Sequence, residues 1–408
     1  TGSLGNQAIS DCYPYIQKLN MQGLGGYLMN GEPVTYAAVS APPSGKLTWE
    51  TVIHHNLGLD LGFFDNRLNL SADLFIRDTK DMLVPGKMLP GVYGATPPKE
   101  NAANLRTKGF ELAVSWYDQF NLGNNLSFGL SDSKSVITKF DNPMKEFAKS
   151  SYYEGMTIGE IWGYKIDGLF QTDEEAAAYS KAVDNSYVCK NIFVTAVGDY
   201  KGLQAGDPRF VDIDGSGRID DGEKTADNRG DMVIIGNKEP RYLYNANIGL
   251  SWNGIDISAF FQGVGRQHRY PDGNNMMFWG GFARPYSSFV PANFLDNVWS
   301  EENPNAYLPK IRGYAAQGDR SLGHKNDRYL QNIAYCRLKN LTVGYTLPSE
   351  WTSKIKIDRL RVYFSGDNLF TWTKLKSDYI DPEQITVNSD ARTYPFSKVF
   401  SFGLDITF

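Results

Sequence analysis

The last eleven residues, 398–408, alternate apolar and polar side chains along their whole length. The apolar members are Phe400, Phe402, Leu404, Ile406 and Phe408. A period of two is that of a β-strand, in which successive side chains point to opposite faces. The sequence therefore predicts a terminal strand with one apolar and one polar face. A single strand of this kind suits several all-β folds, and repetition along the chain has to distinguish them.

The alternation recurs in a long hairpin near the start of the chain. Alternate residues from Trp49 to Phe63 are mostly apolar, a run well beyond the ~5–6 residues usual in a sandwich strand. Asp65-Asn66 predicts a tight turn, and the returning strand carries Asp73 and Arg77 opposite a Leu/Ile face. A dry core would not tolerate those charges, whereas a water-filled lumen would.

Further hairpins follow the same plan. We predict them over 110–130 with a turn at 118–124, over 246–261 around Asn253-Gly254, and over 341–364 with a turn at 348–356. A shorter strand is predicted at 34–39. The pattern gives roughly nine or ten regular strands in all.

The connections at one end of the predicted strands are short, and those at the opposite end are long. Short turns near 65, 120, 253 and 350 alternate with long connections at 85–106, 141–240, 265–332 and 375–395. Short turns at one end and long loops at the other are typical of outer-membrane barrels. We therefore predict an all-β fold, an antiparallel transmembrane β-barrel with long extracellular loops. No apolar run reaches the ~18–20 residues of a membrane-spanning helix.

Composition and motifs restrict the function classes. The formal net charge of −5 provides no basic surface for nucleic acid. No nucleophile elbow, metal-binding histidine cluster or phosphate loop is present, so we predict that the chain is not an enzyme. The many Asp and Glu residues leave a glycosidase-like carboxylate pair open.

Aromatic residues are frequent, with 24 Tyr, 23 Phe and 8 Trp, which fits aromatic girdles or platforms for sugar stacking. Those near strand ends are interpreted as lipid-facing: Phe63, Trp116, Trp252, Phe261 and Phe408.

One motif predicts a metal site. Residues 212–223 read DIDGSGRIDDGE, which places oxygen-bearing groups at positions 1, 3, 5, 7, 9 and 12 of an EF-hand-like loop. The predicted ligands are Asp212, Asp214, Ser216, the carbonyl of Arg218, Asp220 and Glu223. Gly217 supplies the bend at position 6, and the cation would be Ca²⁺ or another hard ion. The alternative is a solvated acidic turn.

Several stretches resemble one family. They are 49–51 (WET), 79–83 (TKDML), 104–111 (NLRTKGFE), 158–164 (IGEIWGY), 206–220 (GDPRFVDIDGSGRID), 235–242 (IGNKEPRY), 257–263 (ISAFFQG), 365–370 (SGDNLF), 381–383 (DPE) and the terminal Phe408. Together they resemble the SusC/RagA family of TonB-linked outer-membrane proteins of Bacteroidetes, over nearly the whole chain and in order.

The resemblance implies an architecture and partners. Such proteins have a TonB box, an N-terminal plug and a barrel of about 22 strands, closed by a SusD-like lipoprotein lid. Residues 1–408 would be the C-terminal part of that barrel in the lipid bilayer of the outer membrane, with a calcium-binding-like extracellular loop at about 171–240. The plug and first strands, and with them the contact to TonB, would lie outside this chain. Phe408 would be the C-terminal barrel-assembly signal.

The implied function is active import of a nutrient, an oligosaccharide or an oligopeptide. Aromatic residues of the long loops are candidates for contact with substrate or lid: Tyr152, Tyr153, Trp162, Trp279, Tyr286 and Trp299. Each could instead pack its own loop. The inner charges Asp73, Arg77, Glu111 and Asp256 line the transport path or are solvated wall charges. A secreted, calcium-stiffened β-rich adhesin or carbohydrate-binding module is the alternative function, and it would bury the apolar face between two sheets.

Overall fold

A computed structural model describes residues 2–5, 16–43, 47–86, 92, 98–118, 123–142, 144–147, 152–189, 202–286, 290, 292–377, 379–386, 393–394 and 396–408. Ten strands form one sheet in which every neighbouring pair is antiparallel. In order across the sheet they are β1 (Gly2–Gly5), β4 (Glu50–Phe63), β5 (Leu68–Pro85), β6 (Lys99–Asp118), β7 (Gly123–Phe140), β12 (Arg241–Trp252), β13 (Ile255–Arg266), β16 (Tyr335–Thr346), β17 (Arg359–Thr373) and β18 (Val399–Thr407).

The remaining elements belong to the long connections, except one helix and one 3₁₀ turn between β16 and β17. Four two-stranded sheets pair β2 (Leu19–Met29) with β3 (Glu32–Val39), β8 (Glu160–Gly163) with β11 (Val233–Asn237), β9 (Ile166–Leu169) with β10 (Pro208–Phe210), and β14 (His268–Arg269) with β15 (Gln331–Asn332). The helices are α1 (Asp173–Ala182), α2 (Met276–Trp279) and α3 (Ser349–Thr352), with 3₁₀ turns at Gly280–Phe282, Leu295–Asn297, Ser353–Ile355 and Gln384–Thr386. None of the described helices is long and apolar enough to cross a membrane.

The antiparallel β architecture is confirmed, with the strand count at the upper end of the predicted number. The tight turns predicted at 65–66 and 253–254 are present as well. The turn predicted at 118–124 lies largely outside the described residues, and the one at 348–356 contains α3 and a 3₁₀ turn. Asp65 and Asn66 have left-handed φ values of 57° and 63°, and Asn253 and Gly254 have φ values of 48° and 83°, as a type I′ turn requires. The strand predicted at 34–39 lies within β3.

The connection predicted over 85–106 is wrong in its length. β5 continues to Pro85 and β6 already begins at Lys99, so only 86–98 join the two strands. Asp81 adopts a left-handed φ of 55°, where the pairing between β5 and β6 shifts register. This bulge interrupts the alternation of side chains. A pattern with a period of two therefore does not show that the strand continues beyond Asp81.

The outer face of the sheet carries rows of apolar side chains that cross its regular strands. Register places one row of side chains side by side from β4 to β17: Leu61, Leu70, Val114, Phe128, Ala246, Phe261, Leu338 and Phe370. A second row crosses the last four strands: Ile257, Val343, Phe364 and Phe402. Much of this face is open to the surroundings, as the 71% exposure of Leu57 and the 82% exposure of Phe402 show, whereas Leu338 is buried against Ala259 and Leu369. An apolar surface of this extent fits contact with lipid.

The inner face is polar and holds itself together by ion pairs. Arg361 on β17 donates to Asp256 on β13 (2.8 and 2.6 Å) and to Asp405 on β18 (2.9 Å). β16 lies between β13 and β17, and Gly344 leaves the gap through which the guanidinium passes. A Cβ on Gly344 would lie 2.5 Å from Asp256 Oδ1 and 2.6 Å from Arg361 Nε. Asp256 is therefore a structural charge of the wall.

The largest cluster of buried apolar side chains lies outside the sheet. It is built by the long connections, and we call residues 152–189, 202–237, 267–333 and 375–386 the loop assembly. Its centre contains fully buried residues such as Phe170, Phe210, Trp279, Tyr329 and Ile333. Backbone hydrogen bonds attach it to β7: the Ile137 N–H donates to the Met156 carbonyl, and the Ile158 N–H donates to the Ser135 carbonyl. The fold is therefore a membrane wall with a separately packed exterior part.

The two faces of β18 predict different tolerance to charge. Phe402→Lys places an ammonium on the outer face, and we expect a loss of about 2–4 kcal/mol in the free energy of unfolding in a bilayer. Ser401→Lys, one residue away on the inner face, should cost less than about 1 kcal/mol. Denaturant titration of the full-length protein in lipid vesicles measures both values. Equal losses would contradict the assignment of the faces.

Candidate functional site

Three carboxylates of the loop assembly meet at one point. Carboxylate oxygens of Asp212, Asp214 and Asp231 lie within 4.8 Å of one another. Asp231 is completely buried and accepts hydrogen bonds from the N–H groups of Ile213 (2.6 Å) and Asp220 (3.0 Å). The Asp231 carboxylate thus connects the backbone at the start of the predicted motif, at Ile213, to the backbone near its end, at Asp220.

The first half of the motif folds as a compact turn around Asp212. Its carboxylate accepts from the N–H groups of Gly215 (2.8 Å), Ser216 (3.1 Å) and Gly217 (2.8 Å). Both glycines are left-handed, with φ values of 73° and 76°. Ile219 at position 8 is fully buried in the core of the loop assembly. The acidic side chains are therefore held in place by packing beneath them.

Glu223 is not part of the carboxylate group, contrary to its predicted place at position 12. Its side chain is exposed, and its N–H donates to the carbonyl of Asn228 in a turn that begins at Gly222 (φ 54°). Asp220 is also outside the group, and its Oδ1 accepts from the Gly222 N–H at 2.8 Å. Sequence reasoning missed Asp231 because it follows the motif by eight residues and only the tertiary fold returns it.

Electrostatics favour a cation at this position. Burial raises the pKa of the Asp231 carboxyl, whereas hydrogen bonds from Ser216 lower the pKa of Asp214. Three carboxylates so close together repel one another when ionised, and burial increases the cost. A hard cation with oxygen ligands would remove that cost, and the donor set here is oxygen only. The residues present fit Ca²⁺, with the Ser216 hydroxyl and the Arg218 carbonyl as neighbouring oxygens that lie 2.9 Å apart.

Three of the six aromatic candidates are packing residues. Trp279 is fully buried, and Trp299 and Tyr153 are each only 7% exposed. Trp279 lies against Phe278 with ring centroids 4.7 Å apart, so it has no free face for a ligand or a lid. In this structure these three side chains pack within the loop assembly, which is the alternative that the sequence left open.

The other three candidates are less enclosed. Trp162 is stacked on Phe147 with ring centroids 4.5 Å apart, and Tyr152 meets Phe140 edge to face at 5.7 Å. Tyr286 is 76% exposed and is the most accessible of the six.

A second cluster of charges, which the sequence did not predict, fixes the loop assembly to the inner face. Arg337 on β16 is only 1% exposed and donates to Asp381 and to Glu383 (2.7 Å). Lys339 (2.8 Å) and the Tyr335 hydroxyl (2.5 Å) donate to the same Glu383 carboxylate. Burial opposes ionisation of Glu383, but these contacts outweigh it and lower the pKa. We call Tyr335, Arg337, Lys339, Asp381 and Glu383 the inner anchor.

A polar cavity of about 680 Å³ lies between residues 269–274 and 316–325, with Ile161 and Lys238 completing its lining. Its lining includes the charged residues Lys238, Arg269, Asp272, Asp319 and Lys325 together with His324. Burial lowers the pKa of His324, which keeps the imidazole neutral near pH 7. The cavity offers charged groups of both signs and neutral hydrogen-bonding groups, as a polar solute requires.

Known proteins share this chain's sequence and fold. The sequence model of the family described as "TonB dependent receptor-like, beta-barrel" matches residues 15–369. The chain is 28% identical to TonB-dependent receptor P3 of Formosa agariphila, over 100% of this chain and 38% of the relative. It is 25% identical to TonB-dependent receptor SusC of Bacteroides thetaiotaomicron, over 100% of this chain and 37% of the relative.

A solved structure of the RagAB peptide transporter has the same fold, with a TM-score of 0.61 and 21% identity. That match covers 97% of this chain and 38% of the solved chain. The chain thus spans about two fifths of the length of the proteins it matches. The SusC/RagA resemblance inferred from the motifs is confirmed.

The inner anchor should be sensitive to loss of its central cation. Arg337→Met leaves Asp381 and Glu383 without their main partner, and we expect a cost of about 3–5 kcal/mol. Lys339→Met is the matched control, since Arg337 still pairs Glu383 and the lysine is more exposed. Hydrogen exchange of 379–386 in the full-length protein reports the effect. Similar protection in the two variants would contradict a central role for Arg337.

Proposed function

We propose, since the chain belongs to the TonB dependent receptor-like β-barrel family, that it forms wall and exterior loops of an active nutrient importer. The family places the chain in the outer membrane. The proposed importer takes up an oligosaccharide or an oligopeptide, driven by TonB, together with a SusD-like surface lipoprotein. The contact to TonB would be made by parts of the protein beyond these residues.

One observation carries this proposal. The ten-stranded sheet is apolar on its outer face and polar on its inner face, and a folded loop assembly is anchored to the inner face. A wall of this kind separates lipid from a wet interior and narrows the exterior end, as passage of a polar solute needs. A secreted module would bury the apolar face between sheets, whereas Leu57 and Leu74 are 71% and 60% exposed.

The polar cavity supports a polar substrate. Lys238, Arg269, Asp272 and Asp319 provide charges of both signs, which suit the ends and side chains of a peptide or the substituents of a sugar. One of the similar structures is named a peptide transporter. The two substrate classes share the requirement for hydrogen bonding, so a direct comparison has to separate them.

The lipoprotein lid would rest on the loop assembly. Tyr286 is the predicted contact residue that the structure leaves well exposed, at 76%. An exposed aromatic ring with a hydroxyl group is a common anchor in protein interfaces.

We further propose that the acidic loop binds Ca²⁺ through Asp212, Asp214 and Asp231. The support is the convergence of three carboxylates, one of them fully buried, on a loop with EF-hand spacing. When bound, the cation would offset the repulsion between the carboxylates. The residues around it would then hold the segment from 212 to 231 in one conformation.

Purification from native outer membranes tests the importer. We expect the full-length protein to extract only with mild detergent and to co-elute with a surface lipoprotein, identified by mass spectrometry. Cells that lack the protein should lose uptake of either labelled oligosaccharides or labelled oligopeptides, and the lost class identifies the substrate. Recovery of the protein in the aqueous fraction, with both uptakes intact, would refute the proposal.

Two variants test the calcium site. Asp231→Asn should weaken Ca²⁺ binding at least about tenfold, since it removes one charge of a three-carboxylate site. Glu223→Gln removes the same charge from an exposed side chain outside the group and should leave the affinity within about twofold. Protease sensitivity of 202–233, measured across a Ca²⁺ titration with a chelator as the zero point, gives both affinities. A larger effect of Glu223→Gln would restore the sequence-based ligand set.

A further inference from the structure

Three lysines lie together on the outer face of β5, β6 and β7. Lys108 on β6 is the register partner of Ile76 on β5 and of Lys134 on β7. Leu74 and Ile76 belong to the apolar outer face, so both lysines point to the same side. Lys80 follows Ile76 by four residues and has the same orientation by the alternation of the strand. All three side chains are exposed, and we call Lys80, Lys108 and Lys134 the basic patch.

The patch lies at the height where the apolar band ends. Eight residues separate Trp116, close to the short turn, from Lys108 on the same strand. At about 3.3 Å per residue and a tilt of about 40°, this is ~20 Å along the barrel axis. Lys80 lies four residues farther from the turn than Ile76, which adds ~10 Å. An apolar band of a barrel is about 25 Å tall, so Lys80 lies beyond its edge. Lys108 and Lys134 lie just inside the edge, and their flexible stems extend the ammonium groups to the lipid headgroups.

The neighbouring carboxylates on this face are already paired. Asp78 receives two hydrogen bonds from Arg106 (2.7 and 2.9 Å), and Asp132 receives two from Arg241 (2.5 Å each). In the described part of the chain, no carboxylate lies within ion-pair distance of any of the three lysines. Two neutralised pairs and three unneutralised ammonium groups leave a net positive surface at this place.

The patch is local to these strands. The outer face of β17 ends instead in Phe370 and Trp372, half-exposed rings stacked with centroids 6.1 Å apart. Aromatic rings at this position are the usual girdle of a barrel and serve any lipid. Lysines replace such rings on β6 and β7, so this part of the surface selects for negative charge.

We propose that the outer face of β5–β7 binds a phosphate-bearing anionic lipid of the outer leaflet. Its phosphates contact Lys80, Lys108 and Lys134, and its acyl chains lie along Leu74 and Phe110 directly below. A lipid is favoured over a free anion because the patch is continuous with the exposed apolar face, where Leu74 is 60% exposed. Lysine stems can bury along apolar surface while the ammonium group reaches the headgroup. Each lysine near an anionic surface increases binding about fivefold.

Native mass spectrometry of the full-length protein in mild detergent tests the proposal. The added probes are phosphatidylglycerol, phosphatidylcholine and inorganic phosphate. We expect wild type to retain phosphatidylglycerol in preference to phosphatidylcholine. The variant Lys80→Gln/Lys108→Gln/Lys134→Gln should lose this retention on the order of a hundredfold. The control Lys165→Gln/Lys181→Gln/Lys354→Gln removes the same charge from exposed lysines away from the patch and should behave as wild type.

Other outcomes separate the alternatives. Retention unchanged in the patch variant, or equally reduced in the control, would overturn the proposal. Displacement of the lipid by millimolar inorganic phosphate would show a simple anion site and would also overturn it. If the patch variant does not assemble, Lys108→Arg/Lys134→Arg keeps the charge and must retain the lipid, whereas Lys108→Gln/Lys134→Gln must lose at least tenfold. None of these readouts requires transport, so they are independent of the importer proposal.

Discussion

The register of ten antiparallel strands is the constraint on which every other feature depends. Inside a membrane each backbone N–H and C=O must find a partner within the protein, and the ladder between neighbouring strands provides it. Because side chains alternate, one fixed register sends the long apolar rows to one face and most polar side chains of the membrane-facing part to the other. A slip of one residue in any strand would place charges such as Asp256 and Arg361 in lipid. The ion pairs of the inner face and the apolar rows of the outer face therefore stabilise the same register.

The sheet and the loop assembly are stabilised in different surroundings, the sheet in lipid and the loop assembly in water. The sheet gains most of its apolar contacts from lipid, and its inner face is held by charged pairs that remain partly hydrated. The loop assembly has a dense core of aromatic and aliphatic side chains, as a water-soluble domain has. The inner anchor connects the two parts, since Arg337 belongs to the wall and Asp381 and Glu383 belong to the exterior connection. The polar cavity and the acidic loop are built by the exterior part.

The fold was predictable from the sequence because the alternation repeats over long strands, and a repeated pattern overrides local ambiguity. The prediction failed at Asp81, where a bulge reverses the alternation of apolar and polar side chains although the strand continues beyond it. The acidic loop was predictable in its first half, where the carboxylates of Asp212 and Asp214 are neighbours in sequence. Its buried member Asp231 was not predictable, since nothing local connects it to Asp212. For the same reason the sequence did not predict that Arg337 pairs with Asp381 and Glu383, which lie more than forty positions away.

The core of the loop assembly draws on three separate connections, which the strands of the sheet divide from one another. Phe210 comes from the connection before β12, Trp279 from the one after β13 and Ile385 from the one after β17. None of these connections can complete the core alone, so all three must have crossed to the exterior before it forms. Contacts between segments so far apart in sequence form slowly, so we expect this core to form after the wall has set the positions of the strand ends. A folded exterior core therefore indicates, on the outside of the cell, that the strands of the wall are correctly paired.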